Sequence, residues 1–386
     1  MRNDLVVIGG GVVGASLVRA ASGLSVVLVS ASRPPATTMD DDSYDTRVYA
    51  LSPGSVEFLR AAKVWQSIPP ERLTPVYSMQ VHGDDPGSRI GFDAYGAGVA
   101  ELAWVVEDRV LQAALWRALS TQDGLEIIAP GHCDALELGE GARVTLTDGR
   151  VLESDLVVGA DGADSFVRRA AGIAVSEDAY GQTALVANFS CGRPHGNSAL
   201  QWFQSGPVLA LLPLPGNRVS MVWSLPDREA ARLMGLDAQA LAREVSEASE
   251  LALGPLAALT PPQAYPLRRL AAERLVLPHL ALAGDAAHVI HPLAGQGLNL
   301  GLQDARLLGT TLAEREAVRG AGDLRVLRRY ERERSEAILT MRATVHGLHS
   351  LFGAGGAAAR RVRNLGLNLT DRLPVIKNIL MRHALR

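Results

Sequence analysis

The sequence predicts an α/β protein in which a discontinuous domain is interrupted by an antiparallel sheet, and three observations lead to this prediction. An apolar strand, a glycine-rich turn and a helix open the chain within Asp4–Ser22. Two later apolar strands each end beside an aspartate, at Asp161 and at Asp285. Between those two strands, the segment 175–270 carries several runs that are typical of paired antiparallel strands.

Composition describes an ordinary globular protein. The 386 residues suffice for two domains, and 47% hydrophobic with 20% charged residues indicates a sizeable core. A net charge of −3 gives no argument for a nucleic-acid partner. No secretory signal is visible and no apolar run reaches the roughly 18 residues of a membrane span, so we expect a cytoplasmic protein.

The cysteines and two neighbouring histidines do not indicate a metal site. Cys133 and Cys191 lack the spacing of a zinc site or of a disulfide framework. His288 and His291 are three residues apart, but no carboxylate or cysteine stands near them in a ligand pattern. We therefore expect no bound metal.

The glycine-rich turn has the spacing Gly9-x-Gly11-x-x-Gly14 and lies between the first strand and the first helix. In such a turn the first glycine permits the bend, the second lets the backbone approach a pyrophosphate, and the third lets the helix pack on the strand. Val12 lies inside the same turn. The segment therefore predicts a Rossmann-like unit that binds a dinucleotide.

The end of the second strand departs from the usual pattern of such units. Ser30 stands where an aspartate or glutamate commonly binds the ribose hydroxyls. A serine can still form a hydrogen bond to a ribose, although a weaker one than a carboxylate forms. Alternatively, the nearby Arg33 suits the 2′-phosphate of NADP. The sequence leaves both interpretations open.

The two later strand ends extend the expected binding site. Asp161 follows one buried strand, and Leu275–Ala283 is predicted as a second strand that ends at Gly284 and Asp285. A loop then leads to a helix predicted over Gly301–Glu316. Ligands bind at the carboxyl ends of parallel strands, and a helix N-terminus attracts negative charge. We therefore expect one long anionic cofactor to span these strand ends and the glycine turn.

The domain organisation follows from these elements. The first domain is predicted to comprise 1–72, 103–174 and 271–340, the second domain 73–102 and 175–270, and a helical C-terminal region 341–386. In the second domain, Trp202 and Trp223 are bulky residues that suit either the core or the wall of an apolar substrate pocket.

The C-terminal segment is basic and apolar. Residues 355–386 contain seven arginines or lysines and one acid, Asp371, with apolar residues that can share one helix face. A basic amphipathic helix suits peripheral contact with a membrane surface. The alternative is a helix that packs on its own domain.

Taken in order, these motifs resemble the single-component FAD-dependent aromatic monooxygenases, and more narrowly the ubiquinone-biosynthesis flavin hydroxylase family. The resemblance spans nearly the whole chain. The glycine turn, Asp161-Gly162 with Ser165 and Arg168, and Gly284–His288 carry the general resemblance. The narrower resemblance rests on several short segments, which are Arg47–Ser52, Val106–Gln112, Tyr180–Gln182, Gly206-Pro207 ahead of Leu212–Leu214, His291–Gly301 and Tyr330–Arg334.

The resemblance implies a discontinuous Rossmann-like FAD-binding domain, bound FAD, NADH or NADPH as transient electron donor and O2 as second substrate. The reaction it implies is ring hydroxylation of a polyprenylated phenol or quinone precursor in ubiquinone biosynthesis. The cofactor-binding residues it implies, together with those predicted above, are Gly9, Gly11, Val12, Gly14, Ser30, Arg47, Gln112, Asp161, Gly284, Asp285, Pro292, Gly295, Gly297, Leu298 and Asn299. The substrate-side candidates are Tyr49, Gln201, Trp202, Trp223 and His291. No protein side chain is assigned a catalytic role, because the cofactor carries the chemistry.

A lipid-tailed substrate together with the basic tail 355–386 would suit peripheral contact with the inner face of the membrane, and a ubiquinone-biosynthesis complex is a candidate partner. Two other functions stay open from the sequence. One is a flavin oxidase or dehydrogenase acting on another substrate, whose product would contain no added oxygen. The other is a flavin-binding subunit without catalytic activity that organises a biosynthetic complex.

Overall fold

The computed structural model describes residues 2–34, 43–83, 88–204, 206–290 and 297–353. Its strands are β1 (Asn3–Ile8), β2 (Val26–Val29), β3 (Val48–Leu51), β4 (Thr74–Val76), β5 (Ser78–His82), β6 (Arg89–Asp93), β7 (Ala103–Glu107), β8 (Leu125–Ile128), β9 (Cys133–Leu138), β10 (Ala142–Leu146), β11 (Val151–Gly159), β12 (Val175–Cys191), β13 (Ser198–Phe203), β14 (Val208–Leu214), β15 (Arg218–Pro226), β16 (Leu256–Ala258), β17 (Gln263–Ala272), β18 (Val276–Leu277), β19 (Leu280–Leu282) and β20 (His288–Val289). Its α-helices are α1 (Val12–Ala20), α2 (Pro53–Ala61), α3 (Ala94–Ala97), α4 (Asp108–Leu119), α5 (Phe166–Ala170), α6 (Asp227–Met234), α7 (Ala238–Ala248), α8 (Gly297–Ala313) and α9 (Leu324–Gly353).

The first sheet collects strands from three separate stretches of the chain. Its order is β18-β19-β11-β1-β2-β8, with β10 and β9 added beyond β11. The pairs from β19 to β8 are parallel. β1 and β2 are apolar and buried on both faces, as parallel strands covered by helices must be. Because β1, β11 and β19 are parallel neighbours, their carboxyl ends share one edge of the sheet.

The second sheet has the order β20-β17-β12-β15-β14-β13-β5-β6, with β16 beside β12. All its pairs are antiparallel except β13 with β5, so the predicted antiparallel sheet contains one parallel pair. The helices α6 and α7 cover one of its faces. The opposite face meets β4 and β7, where Ala199 and Leu214 pack on Val76 and Val105. The α/β fold class is confirmed.

Three details differ from the elements that the sequence predicts. Leu275–Ala283 is not one strand but a tight hairpin of β18 and β19, which turns at His279 with φ of 63°. Helix α8 begins at Gly297, four residues before the predicted start, so Leu298 and Asn299 lie in its first turn. β4 pairs with β7 in a small third sheet, β3-β7-β4, rather than with the second sheet.

The C-terminal region is described in part. Helix α9 continues to Gly353, and the basic segment 355–386 lies outside the described residues. No helix in the described part of the chain is long and apolar enough to cross a membrane.

Candidate active site

The glycine turn combines two tightly packed positions with one open position. Gly9 has φ of +113°, and a β-carbon on it would lie 2.2 Å from the carbonyl oxygen of Ala160. A β-carbon on Gly14 would lie 1.9 Å from the carbonyl oxygen of Gly9. At Gly11 nothing lies within 4 Å of the same position. Since Gly11 also caps α1 without a side-chain hydrogen bond, the open space faces unfilled helix N–H groups and fits a pyrophosphate.

Ser30 lies against the back of this turn. A β-carbon on Gly10 would come within 2.5 Å of the Ser30 hydroxyl oxygen, which donates a hydrogen bond to the carbonyl oxygen of Ser32 at 2.8 Å. The indole nitrogen of Trp116 donates to the carbonyl oxygen of Gly10 at 2.9 Å. Ser30 is therefore buried and already engaged, whereas Arg33 is exposed. Val12 is buried in the first helical turn, so a contact with a ligand would use its backbone N–H.

The strand end at Asp161 carries an unsatisfied acceptor. One carboxylate oxygen of Asp161 accepts from the amide of Val167 at 3.1 Å, and the other is buried with no partner among the described residues. A hydroxyl of a ligand is the kind of donor that such an oxygen requires. Arg168, which is buried, donates to the carbonyl oxygens of Ala163 and Ala286, each at 2.8 Å. Arg168 thereby joins the two strand ends that the sequence singled out.

Asp285 lies in a short 3-10 turn, Gly284–Ala286, directly after β19. Gly284 has φ of +62°, and its amide donates to Asp304 at 2.8 Å. The Asp285 side chain is exposed to water, and the charged groups of Arg47 and His288 are close to it. Burial raises the pKa of Asp285, and the charges of His288 and Arg47 oppose that increase. The carboxylate is free to accept hydrogen bonds from a ligand.

Arg47, directly before β3, and Tyr49, within β3, lie close to the charge of Asp285. The Arg47 guanidinium carbon lies 5.6 Å from the centre of the Tyr49 ring. Asp108, which the sequence did not single out, accepts at one oxygen from the Tyr49 hydroxyl at 3.1 Å and from the Gln112 amide at 2.8 Å. Asp108 and Gln112 are four residues apart on α4, so their side chains lie on the same helix face. This spacing could have identified Asp108 from the sequence.

The Arg47 side chain is close to acidic groups on two separate elements of the first domain, Asp108 on α4 and Asp285 in the turn after β19. Burial lowers the pKa of Arg47, but Tyr49, Asp108 and Asp285 outweigh it and raise the pKa above its ordinary value. The pKa of the Tyr49 hydroxyl is raised, mainly by burial, so this group stays protonated and can donate. Arg47 therefore remains a fixed positive charge across the cleft from Asp285.

The first turn of α8 is held in place by Asn299. Its side-chain oxygen accepts from the amide of Ser52 at 2.9 Å and from the hydroxyl of Ser55 at 2.8 Å, and its amide donates to Ala50 at 2.9 Å. These bonds tie the helix N-terminus to the strand that carries Arg47 and Tyr49. Gly297 has open space around it, and Leu298 is half-buried. The side chain of Asn299 thus positions the helix, and its backbone remains the part that could face a cofactor.

Three predicted site residues, His291, Pro292 and Gly295, lie outside the described residues. Their roles stay predictions.

The structure corrects the prediction that Trp202 and Trp223 line a substrate pocket. Both pack in the core between the second sheet and the helices α6 and α7, and Trp202 also stacks on His82 with ring centres 5.1 Å apart. Side chains alternate along a strand, so Gln201 points to the opposite face, towards the first domain. Between the two interpretations that the sequence left open for the tryptophans, the core interpretation is therefore the correct one.

Sequence reasoning missed a buried charged cluster behind Arg47. Glu107 is buried and accepts from the amide of Asp45 at 2.6 Å, and it lies 3.4 Å from the Arg72 guanidinium. The Tyr44 ring lies between the guanidinium groups of Arg72 and Arg218, whose carbons are 4.7 and 4.9 Å from its centre. These residues are far apart in sequence, so no local pattern could have joined them.

This fold and site have counterparts among known proteins. The protein family described as FAD binding domain matches residues 2–343. The P. aeruginosa protein PqsL in complex with 2-aminobenzoylacetate has a TM-score of 0.79 and 25% identity, over 96% of this chain and 100% of that one. The p-nitrophenol 4-monooxygenase PnpA from Pseudomonas putida, 15% identical, shares the fold with a TM-score of 0.79 over 100% of this chain and 98% of that one. Fold, site and family define an FAD-dependent aromatic-ring monooxygenase.

Two relatives narrow the family further. The 3-demethoxyubiquinol 3-hydroxylase of Escherichia coli is 33% identical over 389 residues, which cover 99% of this chain and 98% of the relative. The ubiquinone hydroxylase UbiL of Rhodospirillum rubrum is 34% identical over 388 residues, which cover 99% and 89%. The chain belongs to the ubiquinone-biosynthesis flavin hydroxylase family. The prediction of FAD as cofactor is confirmed.

Proposed function

We propose that this enzyme hydroxylates the aromatic ring of a polyprenylated phenol or quinone precursor in ubiquinone biosynthesis. The observation that carries the proposal is the near-complete match to relatives whose names specify a demethoxyubiquinol 3-hydroxylase and a ubiquinone hydroxylase. Bound FAD supplies the redox chemistry, taking electrons from NADH or NADPH and activating O2.

The residues of this chain bind and orient the cofactor in the proposed site. Gly11 and the N-terminus of α1 hold the pyrophosphate, because open space there meets unpaired N–H groups. The carboxylates of Asp161 and Asp285 accept hydrogen bonds from the sugar and ribityl hydroxyls. Arg47 lies across the cleft and neutralises phosphate charge. The N-terminus of α8 stabilises negative charge on the flavin ring.

The substrate ring in this proposal lies between the flavin and the face of the second sheet that points away from α6 and α7. Neighbouring strands place Gln201 beside Ala210, Ala210 beside Val222, and Val222 beside Val186 on this face. Three of the four side chains are apolar, which suits an aromatic ring and the start of a prenyl tail. Gln201 is the polar side chain among the four. Tyr49 contributes a hydroxyl from β3, which donates to Asp108 and can accept a hydrogen bond from the substrate.

The decisive experiment is mass analysis of the reaction. The purified protein, loaded with FAD, is given NADH or NADPH, 18O2 and a short-chain prenylated phenol. The proposal expects one 18O atom in the product and substrate-stimulated oxidation of the nicotinamide. An oxidised product without added oxygen would instead identify an oxidase or dehydrogenase. A normal flavin spectrum without turnover, together with co-purifying biosynthetic proteins, would favour the non-catalytic subunit.

The membrane contact and the complex are also proposals. Seven basic residues and one acid in 355–386 suit an anionic membrane face, from which a lipid-tailed substrate would be taken. Deleting Asp371–Arg386 should lower co-sedimentation with anionic vesicles and leave the flavin content unchanged. Uncharged vesicles serve as the control. Unchanged binding to anionic vesicles after the deletion would contradict the membrane role.

A further inference from the structure

A buried polar network holds the turn that carries Asp285. Asp304 on α8 is fully buried and accepts three hydrogen bonds, from the Gly284 amide at 2.8 Å, from the His288 imidazole at 2.7 Å and from the Arg334 guanidinium at 2.5 Å. His288 and Arg334 are also buried. Because a carboxylate only accepts, His288 donates from its Nε2 atom. The network thus joins the cofactor turn to α8 and to α9.

The backbone and the side chain of His288 contact different parts of the molecule. Strand β20 pairs with β17 of the second sheet, where His288 lies opposite Ala271 and Val289 opposite Leu270. The side chain of His288 reaches Asp304 on a helix of the first domain. One residue therefore connects the sheet that we propose to hold the substrate with the turn that we propose to hold the flavin.

We propose that His288 is a positioning residue that couples the second sheet to the cofactor turn. Through Asp304 it fixes the Gly284 amide, and with it the direction of the Asp285 carboxylate and the start of α8. The inference rests on the proposed function only for its turnover measurement. Measurements of cofactor affinity and of local exchange test it independently.

The charges in the network explain why we expect His288 to position the Asp285 turn and not to be required for folding of the protein. Burial alone would raise the pKa of Asp304, but His288 and Arg334 outweigh burial and hold the pKa below its ordinary value. Arg334 donates to the second oxygen of Asp304 and also to the Leu300 carbonyl oxygen at 3.1 Å. Without His288, the Arg334 pair still compensates the buried charge, so the protein should fold. What is lost is the fixed distance between the Asp285 turn and the second sheet.

The test compares His288→Leu, which removes the donor, with His288→Gln, whose amide nitrogen can replace Nε2. The matched control is His195→Leu, because His195 is also a buried histidine that donates to backbone carbonyls, at Leu214 and Gly216. Three quantities are measured for each protein. These are the Kd for FAD from flavin fluorescence, hydrogen exchange in the 284–289 peptide, and the ratio of hydroxylated product to NAD(P)H consumed.

For His288→Leu we expect FAD affinity to fall by about tenfold, the size of one lost hydrogen bond in a buried site. Exchange in the 284–289 peptide should accelerate, and a larger share of NAD(P)H should be consumed without product. His288→Gln should stay within about threefold of the parent protein in affinity, since the donor is kept. His195→Leu should lower the melting temperature without changing FAD affinity or the product ratio.

Three outcomes would overturn the proposal. Parental FAD affinity and product ratio in a folded His288→Leu protein would show that the histidine positions nothing. Equal losses in His288→Leu and His195→Leu would show a general stability effect. A folded His288→Gln protein that behaves like His288→Leu would show that the donor is irrelevant. If His288→Leu does not fold, His288→Gln and exchange in the parent protein with and without FAD decide the question. Absence of turnover in the parent protein, with these exchange and affinity results intact, would refute the proposed function and leave the coupling role standing.

Discussion

The two ends of the cofactor site are built in opposite ways. At the Gly9–Gly14 turn the protein provides space and backbone, because two glycines are packed against carbonyl oxygens and the third leaves an open hollow. At the Gly284–Asn299 end the protein provides buried charge and side-chain hydrogen bonds, centred on Asp304 and Asn299. We therefore expect an added side-chain atom to disrupt the glycine turn, whereas removal of a hydrogen-bonding or charged partner should disrupt the opposite end.

Adding a methyl group at the glycine turn gives the largest expected effect. Gly14→Ala places a β-carbon 1.9 Å from a carbonyl oxygen, so we expect a loss of stability of about 3 kcal/mol or more, or no folded protein. Gly11→Ala meets open space, so the stability of the FAD-free protein should change by less than about 1 kcal/mol. Its FAD affinity should nevertheless fall at least roughly tenfold, because the methyl group occupies the pyrophosphate hollow. Chemical denaturation and FAD titration check both variants, and equal effects of the two would contradict the division of roles.

Removing a charge at the opposite end should give the next largest effect. Arg334→Leu leaves the buried carboxylate of Asp304 without its cationic partner, and we expect a cost of about 3–5 kcal/mol in urea denaturation. The control is Arg232→Leu, which removes exposed pairs with Glu229 and Glu244 and should cause little change. Similar changes in both variants would refute the special role of the buried network.

The pH dependence of the same network has a definite sign. The pKa of Asp304 is lowered in the folded protein despite its burial, because His288 and Arg334 are close. Its contribution to stability is therefore present above the ordinary carboxyl pKa of about 4 and is lost as pH falls through the folded value. In Arg334→Leu the acid transition should move to higher pH. Unfolding curves measured from pH 7 to pH 3 check this shift, and an unchanged transition would contradict it.

Asp285→Ala should weaken FAD binding without lowering the stability of the fold. The side chain is exposed in the cleft, so the FAD-free protein should keep its melting temperature. Losing hydrogen bonds to a charged acceptor should reduce FAD affinity by about tenfold to a hundredfold. The control is Asp148→Ala, which removes an exposed carboxylate that pairs with Arg150 outside the proposed site. Unchanged FAD affinity in Asp285→Ala would remove this carboxylate from the site.

Ser30→Ala should have the smallest effect. Because the Ser30 hydroxyl already donates to Ser32, its removal should cost less than about 1 kcal/mol in FAD binding. FAD titration of this variant beside Gly11→Ala compares two positions at the same end of the site. A loss as large as that of Gly11→Ala would show that Ser30 carries the ribose contact that an acid usually provides.

The sequence by itself determined the α/β class, the glycine turn, the two strands that end in aspartate, and the family with its cofactor. These features are local: each one depends on residues that are close together in the sequence, and their spacing or apolar periodicity predicts one kind of structure. The tertiary structure alone decided which face of the second sheet packs against α6 and α7, and it placed Trp202 and Trp223 in that core. It also joined His288, Asp304 and Arg334, whose pairing depends on how two helices and a turn pack. A buried charge needs its partners at atomic distance but at no particular separation in sequence, so no spacing rule could have predicted this network.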